Sequence, residues 1–447
     1  MEKLPKTPNL SNTEGPAETG ERPEMRKTYT QRGEKSFKAT RETVKNSGGN
    51  NNINKPDGKN SESLKLPRIG MEDFKKGRNS VVVDSDMKYL AERKKDFAPK
   101  GQAAAEFERI VSNGLITDRW LGNIPGKDGR VPFRVANIFL AENAERLPYD
   151  DVVNKIDCVV ALSILGREKP VSVGFDVTLD ERALEDKLLR SNTKPDRELP
   201  FGFSALDYAY TREGEILPNE TNVPRYTLTM DMSTEKADEY HRNWYTLRLT
   251  RPENREKEYF KQAREYIGKH NARTRFIVLS EIYEQNKLYQ AMLPALDGKH
   301  NRVIQEAQSK LEAVGSKVEF AAYRAALHCP LTVDVVASKE AQGVDGTKSV
   351  RGTGDVKSAE AVEAQRAAIF QEIKACSDST ELDPAQKRER ILALRQELYT
   401  LISGYMRTQD SHYGAMMTET DKLSRLGQEG KINHLKEIRA RNKVLAV

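Results

Sequence analysis

The fold is decided by two neighbouring apolar segments, IDCVVAL at residues 156–162 and VSVGFDVT at residues 171–178. Each segment is rich in β-branched residues, and each carries one aspartate, Asp157 or Asp176. Short apolar runs of this kind, bounded by polar turns, predict strands. The turn GREKP at 166–170 is long enough to join them as an antiparallel hairpin. A helix is predicted to follow at 179–190.

The two aspartates are predicted to lie close together. Successive side chains of a strand point to opposite faces, so Asp176 shares a face with Thr178 and Asp157 shares one with Val159. Hairpin pairing can then bring Asp157 alongside Asp176. Two adjacent carboxylates repel unless a cation or proton lies between them, and such a pair suits Mg²⁺. A purely structural role, in which each aspartate caps a turn or pairs with a Lys or Arg, remains equally open.

Outward from the hairpin, the pattern of apolar residues predicts further elements on both sides. We expect an α/β fold, in which a small mixed sheet is flanked by helices. The predicted strands are 81–83, 203–210 and 225–232, and the predicted helices are 86–98, 103–115 and 135–147.

The second half of the chain is predicted to be helical. A helical extension at 251–338 contains helices at 256–267, 274–293 and 303–327, and a Gly-rich linker follows at 339–357. A C-terminal helical arm at 358–447 includes a helix start at Asp383-Pro384. We interpret the arm as a helical hairpin or coiled coil. Its apolar stripe consists of Ile391, Leu394, Leu398, Leu401 or Ile402, and Tyr405.

The composition limits the remaining possibilities. Residues 1–80 are polar and almost without large apolar side chains, which predicts a disordered tail before an α/β domain at 81–250. The net charge of +6 is a mild bias that is compatible with nucleic acid but well short of a dedicated nucleic-acid-binding protein. The three cysteines have neither disulfide nor zinc spacing. No segment has the length and apolarity of a membrane span, so we expect a cytoplasmic protein without membrane contact.

The order of a helix at 135–147, a strand with Asp157, a strand with Asp176, a second helix and a further strand resembles the PD-(D/E)XK nuclease superfamily, which has the restriction-endonuclease-like fold. The resemblance covers about residues 135–247 and extends to the texture of uncharacterised bacterial proteins of this type. It implies that Asp157 is the first motif aspartate and that Asp176-Val177-Thr178 occupies the (D/E)-x-K triplet. It also implies that Glu142, on the preceding helix, assists them in binding Mg²⁺.

One position departs from the family pattern. The triplet lysine, which positions water and stabilises charge on the phosphate, is replaced by Thr178, which carries no charge. Thr178 and Glu181 instead have the spacing of a helix capping box. Some members carry the lysine on the next helix, where this chain has Lys187, although a solvated lysine is an alternative. Lys155 is a weaker candidate for the same role.

The resemblance implies a Mg²⁺-dependent nucleic-acid phosphodiesterase, or an inactive relative if the lysine has no replacement. In the active form Asp157, Asp176 and Lys187 are the catalytic residues, and Glu142 joins the two aspartates as metal ligands. The rival hypothesis is a non-enzymatic scaffold in which the sheet is a platform and the helices of 358–447 bind a protein partner or a second copy of the chain.

Overall fold

A five-stranded mixed sheet lies at the centre of the parts of the chain that the structure describes. The computed structural model describes residues 71–95, 111, 114–115, 120–121, 133–140, 149–164, 167–178, 181–189, 202–210, 216, 218–229, 239–240, 242–244, 246–247, 250–293, 301–331, 358–426, 430 and 433. The strands are β1 Phe133–Leu140, β2 Cys158–Ile164, β3 Val171–Val177, β4 Phe203–Leu206 and β5 Glu220–Leu228, in the order β1-β2-β3-β5-β4.

The predicted hairpin is present. β2 pairs with both β1 and β3 in antiparallel fashion, β3 pairs with β5 in parallel, and β5 pairs with β4 antiparallel. Cys158 lies opposite Phe175 and Val159 lies opposite Gly174. Continuing this register by one residue sets Asp157 opposite Asp176. The alternation is also confirmed, because the apolar face of β3 joins the main core through Val171, Val173, Phe175 and Val177.

Helices surround the sheet, so the α/β class is confirmed and the described chain is mostly helical. The α-helices are α1 Met71–Phe74, α2 Ser80–Lys95, α3 Tyr149–Val152, α4 Leu184–Leu189, α5 Glu258–Met292, α6 Asn301–His328, α7 Ala359–Asp378, α8 Pro384–Gln409 and α9 Ser411–Arg425. Short 3-10 helices precede two of them, Glu181–Ala183 before α4 and Pro252–Asn254 before α5. None of the described helices has the length and apolar character needed to cross a membrane.

Side chains of α5 seal one edge of the sheet. β4 begins at Phe203, opposite Pro224, and the N–H of Arg225 donates to the carbonyl of Gly202 at 2.8 Å, so β4 does not reach the residues of β5 that follow. The side-chain amide of Gln285 accepts a hydrogen bond from the Thr227 N–H at 2.8 Å and donates one to the Thr227 carbonyl at 2.7 Å. One turn earlier on α5, the Glu281 carboxyl group contacts both the N–H and the hydroxyl of Thr229. The long helix therefore replaces a strand and closes an edge that would otherwise invite pairing.

The C-terminal helices pack into the same core as the sheet. Phe175 of β3, Phe276 of α5, Leu311 of α6 and Met416 of α9 all belong to one buried cluster. Four residues of the stripe predicted on α8 are buried there, namely Leu394, Leu398, Ile402 and Tyr405. α8 begins as expected at Asp383-Pro384, where Asp383 and Gln386 form a capping box. The helices after 358 thus cover their apolar stripe within the chain instead of projecting as a free arm.

The helix predicted at 135–147 is wrong where the structure describes it. Residues Phe133–Leu140 form β1, which pairs with β2 and has an irregular register between Val135 and Asn137. A short apolar run satisfies the helical and the extended period equally, so periodicity alone does not decide between them. The β-branched and aromatic residues of FRVANIFL fit a strand, and β2 offers an open edge to pair with.

Three other boundaries need correction. Residues 81–83, predicted as a strand, lie inside α2, where the Asn79 side chain accepts the N–H of Val81 at 3.0 Å and caps the helix. The helices predicted at 256–267 and 274–293 form the single helix α5, because no proline interrupts the polar residues between them. The helix α1 lies before the predicted tail boundary at 80, α2 begins at that boundary, and Phe74 of α1 is buried against Tyr208. The linker at 339–357 lies outside the described residues.

Candidate functional site

Asp157 lies just before β2 and closes the end of the hairpin. Its backbone N–H donates to the carbonyl of Phe175 at 2.8 Å, which continues the ladder between the two strands. Its side-chain Oδ2 accepts the N–H of Val177 at 2.7 Å. This hydrogen bond is structural, and a structural role was one of the two roles predicted for Asp157. The residue remains partly exposed, so solvent reaches this end of the hairpin.

Asp176 binds Lys187, the lysine predicted to replace the missing triplet residue. Lys187 Nζ lies 2.5 Å from Asp176 Oδ1, and it also donates to the carbonyl of Val177 at 3.2 Å. The side chains are 7% and 17% exposed, so the ion pair is largely removed from solvent. Leu184 and Leu188 of the same helix are buried, which directs the lysine stem toward the end of β3 as predicted.

Three predicted site residues therefore meet around a single residue of β3. The N–H of Val177 donates to the Asp157 carboxylate, and the carbonyl of Val177 accepts a hydrogen bond from Lys187. Lys187 also forms an ion pair with Asp176. Within a strand, the N–H and carbonyl of one residue point toward the same neighbouring strand. Asp157 and Lys187 consequently approach β3 from the same side. The structure brings Asp157, Asp176 and Lys187 to one end of the hairpin.

Two residues that sequence reasoning missed hold α4 in place. Arg225 of β5 is 2% exposed, and its Nη2 donates to the carbonyl of Lys187 at 2.8 Å. The Tyr289 hydroxyl of α5 donates to the carbonyl of Leu188 at 3.3 Å. Both satisfy carbonyls at the end of a short helix, which would otherwise lack partners. A charged residue inside the apolar segment VPRYTL was the available sequence signal for Arg225.

The C-terminal helix α9 supports the site from outside. His412 Nδ1 lies 3.0 Å from Glu181, and Lys422 Nζ lies 3.7 Å from Glu185. These contacts join α9 to the short 3-10 helix and to α4, which carries Lys187. The helices predicted as a separate arm thus reach the segment that supplies the candidate lysine.

Of the remaining predicted residues, the structure describes Thr178 and Lys155. Thr178 is buried, and its N–H donates to the carbonyl of Leu228 at 2.9 Å, so it extends the pairing of β3 with β5. Its helix-capping role stays a prediction, because residues 179–180 lie outside the described part of the chain. Glu142 also lies outside it. Lys155 occupies the turn before β2 with a left-handed backbone, φ 56°.

The donor set at this end of the hairpin fits Mg²⁺ with few protein ligands. Mg²⁺ is typically bound by one or two carboxylates together with water and substrate phosphates. A carboxylate offers about four lone-pair positions, so Asp176 can accept both Lys187 and a cation. Among the described residues, no group of three or more acidic, histidine or cysteine side chains is arranged to hold a metal.

A second pair of acidic residues is buried on the other side of β2 and serves the fold. Asp150 Oδ1 accepts the amide of Asn154 at 2.5 Å and the N–H of Asp207 at 3.0 Å, and Oδ2 accepts the N–H of Tyr208 at 2.8 Å. Burial, together with the nearby charge of Asp207, raises the pKa of Asp150 to about 6. The Asn154 amide also donates to Asp207 Oδ2 at 3.1 Å, so these bonds fasten residues 207–208 to the segment that begins with α3 and engage both carboxylates.

No protein-family model, curated protein or solved structure matches this chain. The assignment of a function therefore depends on the geometry around Val177.

Proposed function

We propose that this protein is a Mg²⁺-dependent phosphodiesterase acting on nucleic acid, with the restriction-endonuclease-like arrangement that the sequence resembles. The observation that carries the proposal is the meeting of Asp157, Asp176 and Lys187 around Val177, at distances of 2.7, 2.5 and 3.2 Å. The chain order of β2, β3, α4 and then β4 and β5 supports it in part, because it retains the predicted succession of strand, strand, helix and strand, although the helix predicted before them is the strand β1.

Lys187 compensates for the uncharged Thr178 in this proposal. In the family pattern, the triplet lysine follows the second aspartate by two residues and lies beside its carboxylate. Here the ammonium group of Lys187, on the helix after β3, reaches the Asp176 carboxylate instead. Lys187 then positions the attacking water and offsets negative charge on the phosphate, both of which lower the barrier to hydrolysis. Arg225 and Tyr289 act as positioning residues, because they fix the carbonyls of the helix that carries Lys187.

The reaction is the hydrolysis of a phosphodiester. Water attacks phosphorus and gives up a proton to the solvent as a new phosphorus–oxygen bond forms. The ester bond to the leaving oxygen breaks, and that oxygen takes up a proton from the solvent. Asp157 and Asp176 would hold a Mg²⁺ ion, which would supply positive charge beside the phosphate. Asp157 also keeps the end of β3 fixed through the Val177 N–H, so the two carboxylates retain their relative positions.

Cutting assays with the full chain test this proposal. The wild-type protein is incubated with Mg²⁺ or Mn²⁺ and with single-stranded and double-stranded DNA and RNA. We expect cutting that EDTA abolishes and that Asp176→Asn reduces by at least about 100-fold, as is usual for loss of one charge-stabilising group. Asp186→Asn is the matched control, because Asp186 is exposed and precedes Lys187 on the same helix.

Two results would overturn the proposal. Equal cutting by wild type and Asp176→Asn would assign the activity to another site or to a contaminant. Failure of the wild type to cut any of the four substrates with either metal would leave the inactive relative as the better account. Circular dichroism of each variant, compared with Asp186→Asn, shows that a loss of cutting does not result from unfolding.

A further inference from the structure

Two arginines from different helices lie against one aromatic ring on the surface of the helical part. The guanidinium carbons of Arg324 on α6 and Arg395 on α8 are 5.8 and 5.7 Å from the centre of the Phe320 ring. We call these three residues the arginine cluster. Both arginines are partly exposed, so their charges remain accessible from solvent.

Arg395 lacks the partners that an arginine in this position normally has. Its Nε is buried and has no hydrogen-bond partner among the described residues. Burial first, and then the charge of Arg324, lower the pKa of Arg395, and no carboxylate opposes these two effects. Two guanidinium groups held close together repel each other, so an anion between or beside them stabilises the arrangement.

The positive charge continues along both helices. Lys317 lies seven residues before Arg324, which sets the two cations on one side of α6, about 10 Å apart at 1.5 Å per residue. Arg388 lies seven residues before Arg395, on the same side of α8 as Arg395, and is exposed. The patch is thus elongated, which suits a chain of anions better than a single small ion.

Further arginines lie at the far end of the row, around His328. Burial lowers the pKa of His328, and the charges of Arg324, Arg366 and Arg275 lower it further, so the positive charge here belongs to the arginines and the histidine favours its neutral form. Arg366 is anchored there, because it donates to the carbonyls of Leu327 and Cys329 at the end of α6.

A purely structural account explains the cluster less well. Arginine stems do cover aromatic rings, and the stacking on Phe320 is favourable by itself. That role does not require a second arginine beside the first, nor a buried Nε without an acceptor. Glu319 on the same helix accepts hydrogen bonds from the hydroxyls of Tyr283 and Tyr323, so its charge is engaged with the tyrosines.

We propose that the arginine cluster and the row of cations extending from it bind the phosphate backbone of a nucleic-acid strand. Guanidinium groups match phosphate oxygens in a bidentate geometry, and phosphates recur along a strand closely enough to reach each cation of the row. The choice of nucleic acid among polyanions rests on the proposed function, whereas the binding of phosphate groups rests on the cluster alone.

Binding is measured by fluorescence anisotropy of labelled single-stranded DNA and RNA with the full chain, in EDTA so that no cutting occurs. Each phosphate contact to a single strand contributes about 0.7 to the slope of log affinity against log salt concentration. We therefore expect Arg395→Met, which retains the stem over Phe320, to lower that slope by about 0.7. At about 50 mM salt the affinity should fall roughly eightfold on the same relation.

Three comparisons decide the outcome. Arg388→Glu changes an exposed residue, so it should weaken binding without affecting folding. Arg390→Met removes an equal charge from α8 at a position paired with Glu372, and it should bind as wild type does. Inorganic phosphate serves as a competitor. If millimolar phosphate displaced the labelled strand, the ligand of the cluster would be free phosphate, and the proposal of a nucleic-acid strand would be wrong.

The proposal is overturned if the wild type does not bind either strand, or if Arg395→Met and Arg388→Glu both bind as tightly as wild type. Asp176→Asn separates this proposal from the proposed function, since it should bind normally and yet fail to cut. Binding that is lost in Arg395→Met, in a protein that never cuts, would reject the phosphodiesterase and retain the binding site.

Discussion

We expect Glu281→Gln to gain about 3 kcal/mol of stability relative to the wild-type protein as the pH rises from 4.5 to 7. Glu281 is fully buried between α5 and β5, and burial raises its pKa to about 8. Hydrogen bonds from Thr229 oppose this increase, and the nearby charge of Asp410 adds to it. The carboxyl group is therefore protonated in the folded protein at neutral pH.

The direction of the effect follows from proton binding. The ordinary pKa of 4.5 applies to the unfolded chain, so the folded protein binds more protons than the unfolded chain between pH 4.5 and about 8. Unfolding then releases a proton, and wild-type stability decreases as the pH rises through this range. Glutamine does not ionise, and it retains an oxygen that accepts the Thr229 N–H, so the variant lacks this decrease.

Urea denaturation at several pH values measures the difference. Glu265→Gln is the matched control, because Glu265 is exposed on the same helix and pairs with Lys269 at 2.9 Å. Its stability curve should run parallel to that of the wild type. If the Glu281→Gln curve also ran parallel, the carboxyl group would not be protonated in the folded protein at neutral pH.

We expect Lys187→Met to lower the free energy of unfolding by about 3 kcal/mol, because it leaves the Asp176 charge without its cation at a largely buried position. The double variant Asp176→Asn with Lys187→Met removes both charges. The double variant should therefore lose about 1–3 kcal/mol less free energy of unfolding than the sum of the losses in the two single variants, and this difference is the coupling energy. Chemical denaturation of the four proteins at one pH provides the cycle.

Lys422→Met is the control for that cycle. Lys422 pairs with Glu185 and Glu419 at 3.7 and 3.1 Å but is 56% exposed, so its loss should change stability by less than about 1 kcal/mol. Equal stabilities for Lys187→Met and Lys422→Met, with no coupling to Asp176, would mean that the ion pair at the end of β3 does not form in solution.

The central hairpin was predictable from sequence because its information is local. Apolar runs bounded by a turn located β2 and β3, and the alternation of side chains correctly separated Asp176 from Phe175. β1 was predicted as a helix because its apolar spacing fits both periods, and only pairing with β2 decides between them. The helix that begins at Ser80 was missed for a related reason, since its three valines favour a strand only when a partner strand exists.

The proximity of three of the four predicted site residues was predictable from sequence, and their contacts were less so. The strand register and the helix face were sufficient to bring Asp157, Asp176 and Lys187 to one end of the hairpin. The hydrogen bond from the Val177 N–H to the Asp157 carboxylate could not be predicted from sequence, because it depends on the residue at which β2 begins. Arg225 was not predicted at all, because its partner is the carbonyl of a residue 38 positions earlier in the chain.

Metal binding at the end of the hairpin is the central claim, and Mn²⁺ binding followed by electron paramagnetic resonance tests it most directly, because free Mn²⁺ gives a signal that is lost on binding. The wild-type protein should reduce that signal, whereas Asp157→Asn and Asp176→Asn should each leave it largely unchanged, with Asp186→Asn behaving as the wild type. The same signal for the wild type and for both of the first two variants would contradict the claim that these carboxylates hold a metal.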